Sequence, residues 1–213
     1  MRYRFVCALI ATVVCGYSGA ARAAEWDTPP PLPDDRRGAI VGIHWVYALN
    51  DYHFNQSGVS AADALGFEVL GGYRFNRWVD VTGVFQYQSD FAINGSALLI
   101  GGVPIRGNAC AWNVSFMPTA RVYPFATLLP PWVEPYGLYG MGTMYEEIDD
   151  GVSSDSDATF MFRFETGVDF HVIPELVIKI GAGYVVAAED LHLLGLDVTP
   201  NYAPFVAGVE YRF

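Results

Sequence analysis

Phe205-Val-Ala-Gly-Val-Glu-Tyr-Arg-Phe213 closes the chain. Phe205, Ala207, Val209, Tyr211 and Phe213 occupy every second position, and Glu210 and Arg212 fall between them. Side chains of a strand switch faces at each residue, so the segment is a strand with one apolar and one charged face. It stops on an aromatic side chain at the terminus, which a strand of a water-soluble sheet has little reason to do.

The same alternation recurs upstream. Eight strand-like segments lie near 38–48, 66–75, 78–88, 112–123, 134–145, 159–171, 176–187 and 203–213. Glycines and aromatics punctuate them, as in strands rather than helices. Short and long connections alternate between them. The short ones are Asn76-Arg77, Val172–Glu175 and the proline-rich 124–133; the long ones are 49–65, 88–111, 146–158 and 189–202. Such alternation fits an up-and-down barrel with all short turns at one end and all long loops at the other.

Phasing the other strands on the last one gives two lists. One face reads Val41, Ile43, Trp45, Tyr47; Phe67, Val69, Tyr73; Val81, Phe85, Tyr87; Trp112, Val114, Phe116, Val122; Phe160, Phe162, Phe164; Ile178, Ile180, Tyr184. The other carries five bases (Arg74, Arg121, Arg163, Lys179, Arg212) and five acids (Glu68, Asp80, Glu165, Asp169, Glu210), with His44, Thr82, Gln86, Asn113, Ser115 and Thr119. The glycine-rich fifth strand, Glu134–Tyr145, resists phasing. In a soluble lipocalin-like barrel the charged face would be the outside. Solvated faces are usually rich in lysine, whereas Lys179 is the sole lysine of the chain. Equal numbers of opposite charges, mostly arginine, suit mutual neutralisation inside a narrow bore, which side chains of an eight-stranded barrel roughly fill. Unpaired buried charges cost several kcal/mol each, so the pairs must close and the lumen with them.

The N-terminus sets the compartment. Met1-Arg-Tyr-Arg4 is basic, the residues from Phe5 to about Gly19 are apolar, and Ala21-Arg-Ala23 has the small-x-small form of a cleavage site. Residues 1–23 are expected to be an export signal and 24–37 a proline-rich periplasmic leader. The barrel follows at 38–213. Cleavage removes Arg2, Arg4 and Arg22, leaving nine bases against 23 acids. That balance excludes a nucleic-acid partner, which needs a basic stripe. Cys7 and Cys15 leave with the signal, so Cys110 has no partner for a disulfide. Although 52% of residues are hydrophobic and 15% aromatic, no internal run reaches the ~18 apolar residues of a membrane helix. A membrane β-barrel reconciles these facts, because its apolar residues sit on alternate positions.

The loops offer weaker signals. Glu146, Glu147, Asp149, Asp150, Asp155 and Asp157 crowd the third long loop without a base. They are a solvated loop or a weak oxygen-ligand site for Ca²⁺ or Mg²⁺, without the regular spacing of a calcium loop. The second long loop is apolar from Phe91 to Val103, and its Asn94-Gly95 has hairpin-turn chemistry. It either meets a partner or folds over the barrel mouth. His44, His53, His171 and His192 show no paired-ligand spacing or nucleophile partner, so no catalytic residue, resident metal or cofactor is assigned.

The aromatic C-terminal strand, Tyr136-Gly-Leu-Tyr-Gly-Met-Gly142, the tight turn in Gly72–Val79 and Ile180-Gly-Ala-Gly-Tyr184 together resemble the eight-stranded outer-membrane β-barrels of Gram-negative bacteria, OmpA-like, OmpX-like or OmpW-like. The resemblance implies an all-β, eight-stranded antiparallel up-and-down transmembrane barrel with both termini periplasmic. It also implies an assembly signal in Phe205, Val209, Tyr211 and Phe213, read by the barrel assembly machinery. Expected partners are outer-membrane lipid, lipopolysaccharide and an extracellular or host ligand reached through the loops, with the barrel a monomer. The leading function is non-enzymatic, in envelope structure, adhesion or host contact. A porin-like channel for small hydrophobic solutes and a lipid A-modifying enzyme are the alternatives.

Overall fold

The computed structural model describes residues 37–95, 99–100, 103–104, 109–151 and 153–213. The proposed export signal and nearly all of the leader therefore lie outside the described residues. Twelve strands follow in order: β1 (Gly38–Phe54), β2 (Val59–Ala61), β3 (Ala64–Arg74), β4 (Val79–Gly95), β5 (Leu99–Ile100), β6 (Val103–Pro104), β7 (Ala109–Val122), β8 (Val133–Asp149), β9 (Ser154–His171), β10 (Leu176–Ala187), β11 (Leu191–Leu193) and β12 (Leu196–Arg212).

Eight of these, β1, β3, β4, β7, β8, β9, β10 and β12, pair antiparallel with their chain neighbours. The ring closes because β1 also pairs with β12, from Ile40↔Arg212 to Phe54↔Val198. Closure leaves none of these eight as an end strand with a free edge along its length. Of the others, β2 pairs with β4, β11 with β12, and β5 with β6. Both ends of the barrel chain lie together, with the Phe213 N–H donating to Ala39 O at 2.9 Å. The three short turns share that end. In the tightest, Asn76 Oδ1 accepts from the N–H groups of Trp78 (2.7 Å) and Val79 (3.0 Å), an Asx turn that reverses the chain within four residues.

The strands outrun their sequence-based bounds at the far end. β1, β4, β8 and β12 each have 17 residues and β9 has 18, against 11–13 in the corresponding sequence segments. At ~3.4 Å per residue and a tilt of ~40°, such strands rise about 40 Å along the barrel axis, against an apolar band of ~25 Å in barrels of this kind. The far third therefore stands clear of the band. The alternation there inverts. Below it, apolar residues face out; above it, Ile93, Ile148, Leu191, Leu193, Leu196 and Val198 face in. A bulge between Gln88 and Phe91 shifts β4 by one residue and turns Phe91 and Ile93 into this core. Asn94-Gly95 is thus not the hairpin turn expected of it. Asn94 pairs with Ser60 within the β4 extension.

Candidate functional site

Every one of the ten alternating charges faces the lumen and is buried. They form two groups. In the first, Arg121 reaches Asp80 (3.2 Å), Asp169 (3.2 Å) and Glu210 (2.9 Å). Arg212 meets the same Asp169 at 2.7 Å, and the Tyr123 hydroxyl lies 2.7 Å from Asp80 and 3.0 Å from Asp169. The Arg74 guanidinium stacks 4.1 Å from the Tyr123 ring centroid, a cation–π contact. In the second group Arg163 bridges Glu68 and Glu165, and Lys179 holds Glu165 at 2.9 Å. His44 joins the two, with Nδ1 3.3 Å from Glu68 and Nε2 3.3 Å from Glu210.

The fifth strand supplies what alternation alone did not locate. β8 enters with Glu134, Tyr136 and Leu138 facing inward. Glu134 takes Arg74 with both oxygens (2.9 and 3.1 Å), lies 3.4 Å from Arg212 and accepts from or shares a proton with His171 Nε2 at 2.7 Å. The bidentate fork is the strongest geometry open to such a pair. Six carboxylates thus face five bases and two histidines. Tyr136 donates to Glu165 at 2.6 Å. Its ring fits because two inward positions beside it are glycine. A Cβ on Gly167 would stand 2.7 Å from Tyr136 Cζ, and one on Gly181 would stand 2.9 Å from Glu165 Oε1.

The far half of the lumen holds a different chemistry. A single apolar cluster runs from Ala48 and Phe91 through Met144, Met161 and Leu193 to Tyr202. Glu146 is buried in it, accepting a hydrogen bond from Tyr52 at 2.8 Å. The candidate acidic metal loop is dispersed by strand geometry. Glu146 points in, Glu147 points to the outer side, and Asp149 and Asp150 bind their own turn through Gly151 N–H and Ser153 N–H. Asp155 accepts from Leu194 N–H at 2.8 Å and Asp157 from His192 N–H at 2.9 Å. The His192 and Ala158 N–H groups hold the Asp157 carboxyl below its usual range. These two carboxylates tie the β11–β12 hairpin to β9, and among the described residues no three carboxylate, His or Cys side chains gather as a metal site. Cys110 lies on the outer face as a free thiol.

Outside, the wall is apolar where the inside is charged. Trp45, Phe116, Phe164 and Ile180 are more than half exposed to their surroundings. Aromatic rings run side by side across β3, β4, β7 and β8, with centroids of Phe67–Tyr87, Tyr87–Trp112 and Trp112–Tyr145 at 5.6, 6.3 and 5.8 Å. Such belts mark the border of a bilayer. Residues 11–213 match the family of the outer membrane protein beta-barrel domain. The chain belongs to that family. It is an integral protein of the bacterial outer membrane, and its lipid-facing wall is the apolar series phased from Phe213.

Solved structures carry the same fold at low identity. Neisserial surface protein A is 19% identical with a TM-score of 0.56, the match covering 83% of this chain and 97% of that one. OprG from Pseudomonas aeruginosa is 15% identical with a TM-score of 0.58, covering 83% and 96%. A major outer membrane protein from Thermus thermophilus is 13% identical with a TM-score of 0.58, covering 82% and 99%. No curated protein sequence matches this one. The family barrel described above therefore sets the location, and the lumen and loops carry whatever is particular to this member.

Proposed function

We propose that this member is a non-enzymatic envelope protein with a closed lumen, acting through the loops of its far end at the cell surface, with both termini in the periplasm. The observation that carries the reading is the filled bore. Arg74, Arg121, Arg163 and Lys179 are each no more than 1% exposed, and an apolar core caps them. Apart from the buried Glu146, the far-end connections hold eleven acids against Arg106, so partners there are selected for positive charge or arrive with divalent cations. Planar-bilayer recordings are expected to show no large, steady conductance; such conductance would sink the closed lumen. An epitope inserted after Gly151 is expected to bind antibody on intact cells. Labelling only after permeabilisation would reverse the orientation.

A second reading, passage of small hydrophobic solutes, is favoured by the apolar far half of the lumen. Uptake of an apolar dye by cells with and without the protein separates it from the first. Unchanged lipid A mass spectra on expression are the expected result for a non-enzyme.

A further inference from the structure

The turn between β7 and β8 departs from the other turns at its end. From Val122 to Val133 the chain reads Val-Tyr-Pro-Phe-Ala-Thr-Leu-Leu-Pro-Pro-Trp-Val, without a charged or amide side chain. Turns in water draw on Gly, Asn, Asp and Ser, whose side chains suit or stabilise the reversal. Here Phe125, Leu128, Leu129 and Trp132 are instead 47%, 76%, 40% and 48% exposed. The turn is also firmly built. The Leu128 and Leu129 N–H groups both donate to Phe125 O, at 3.0 and 3.3 Å, and Val133 N–H donates to Pro130 O at 3.0 Å. Tyr123 anchors one side in the ionic cluster, and Ala126 packs against Tyr123, Tyr136 and Leu138. The neighbouring turns also expose apolar side chains, Phe75 and Trp78 in one and Val172 and Ile173 in the other, but each carries a polar or charged residue, Asn76 and Arg77 or Glu175.

The outer face of β7 descends through Phe116 and Val122, both exposed, into this turn with no polar side chain between Phe116 and Thr127 on that side. We propose that the turn is a membrane foot. Phe125, Leu128, Leu129 and Trp132 lie in the lipid leaflet at the termini end and continue the lipid-facing wall past the last ladder pair. Tryptophan and leucine at that depth partition into the boundary between headgroups and acyl chains. The foot fixes how deeply the barrel sits, as anchoring side chains do for tilt and depth elsewhere. The inference rests on the membrane location and not on the surface-contact reading, so either can fail alone.

The test uses the full barrel, one per phospholipid nanodisc, with Cys110→Ser as background. An environment-sensitive dye is placed at Leu128→Cys and, separately, at Thr127→Cys; Ser153→Cys at the opposite end is the aqueous reference. Heat-modified gel mobility verifies that each labelled barrel is folded, and the two adjacent positions guard against one that is not. The expected result is blue-shifted emission at 127 or 128, strong loss of signal with nitroxide-bearing lipid, and protection from iodide, with the reverse at 153. Iodide quenching equal to that at 153 overturns the foot. Protection from iodide without quenching by the labelled lipid also overturns it, and assigns the surface to a protein partner or to the chain's own leader.

Discussion

Glu134 shows how much one inward carboxylate carries. It serves Arg74, Arg212 and His171 together, and it is 2% exposed. Removing one partner of a buried ionic group strands the others, at about 3–5 kcal/mol. Glu134→Gln is therefore expected to lower the unfolding free energy of the reconstituted barrel, read from urea titration, by that amount. Glu189→Gln, on an exposed loop, is expected to shift it by less than about 0.5 kcal/mol. Equal shifts in the two variants would remove the argument for a neutralised bore. The other ten charges are legible because each sits on a well-phased strand, all but Glu165 (followed by Thr166) between two apolar neighbours. Glu134 is not, because β8 is interrupted by Gly137, Gly140 and Gly142, which carry no side chain to report a face.

Strands and hairpins add a boundary that no residue shows alone. Where β1, β8, β9 and β12 leave the lipid band, the inside turns apolar and the outside polar, so the protruding third is built like a soluble barrel. Its connections fold on carboxylates. Leu194 has φ 51°, a conformation costing a non-glycine residue about 1–2 kcal/mol, and Asp155 holds its N–H at 2.8 Å. Asp155→Ala is expected to speed amide exchange in 193–196 by roughly ten- to hundredfold while the global midpoint stays put. Co-operative loss of both would refute a local tether. Asp157 makes the same tie pH-dependent. Its folded carboxyl titrates below its unfolded value, so its contribution is complete above about pH 4 and is lost as pH falls through the folded value. Exchange of the His192 amide, corrected for its intrinsic pH dependence, is expected to accelerate below that point and to be flat in Asp157→Ala.

At the scale of the whole barrel, the last residue links structure to biogenesis. Phe213 is 70% exposed, its ring 4.9 Å from that of Tyr211, and its backbone closes onto β1. If Phe205, Val209, Tyr211 and Phe213 are an assembly signal, Phe213→Ser lowers the folded fraction in outer membranes, scored by gel shift. In detergent the refolded protein keeps its stability to within about 0.5 kcal/mol. A loss of equal size in both settings would make Phe213 merely structural. Outside the fifth strand, what the sequence by itself determined is which residues face lipid and which face the bore. Side-chain direction in a strand follows from backbone geometry two residues at a time, so it can be read locally. Only the tertiary structure decided which charges meet. Arg121 on β7 reaches Asp80 on β4, Asp169 on β9 and Glu210 on β12, because barrel closure and strand stagger set relative heights across the bore. Those heights depend on every strand pairing at once, and no local pattern encodes them.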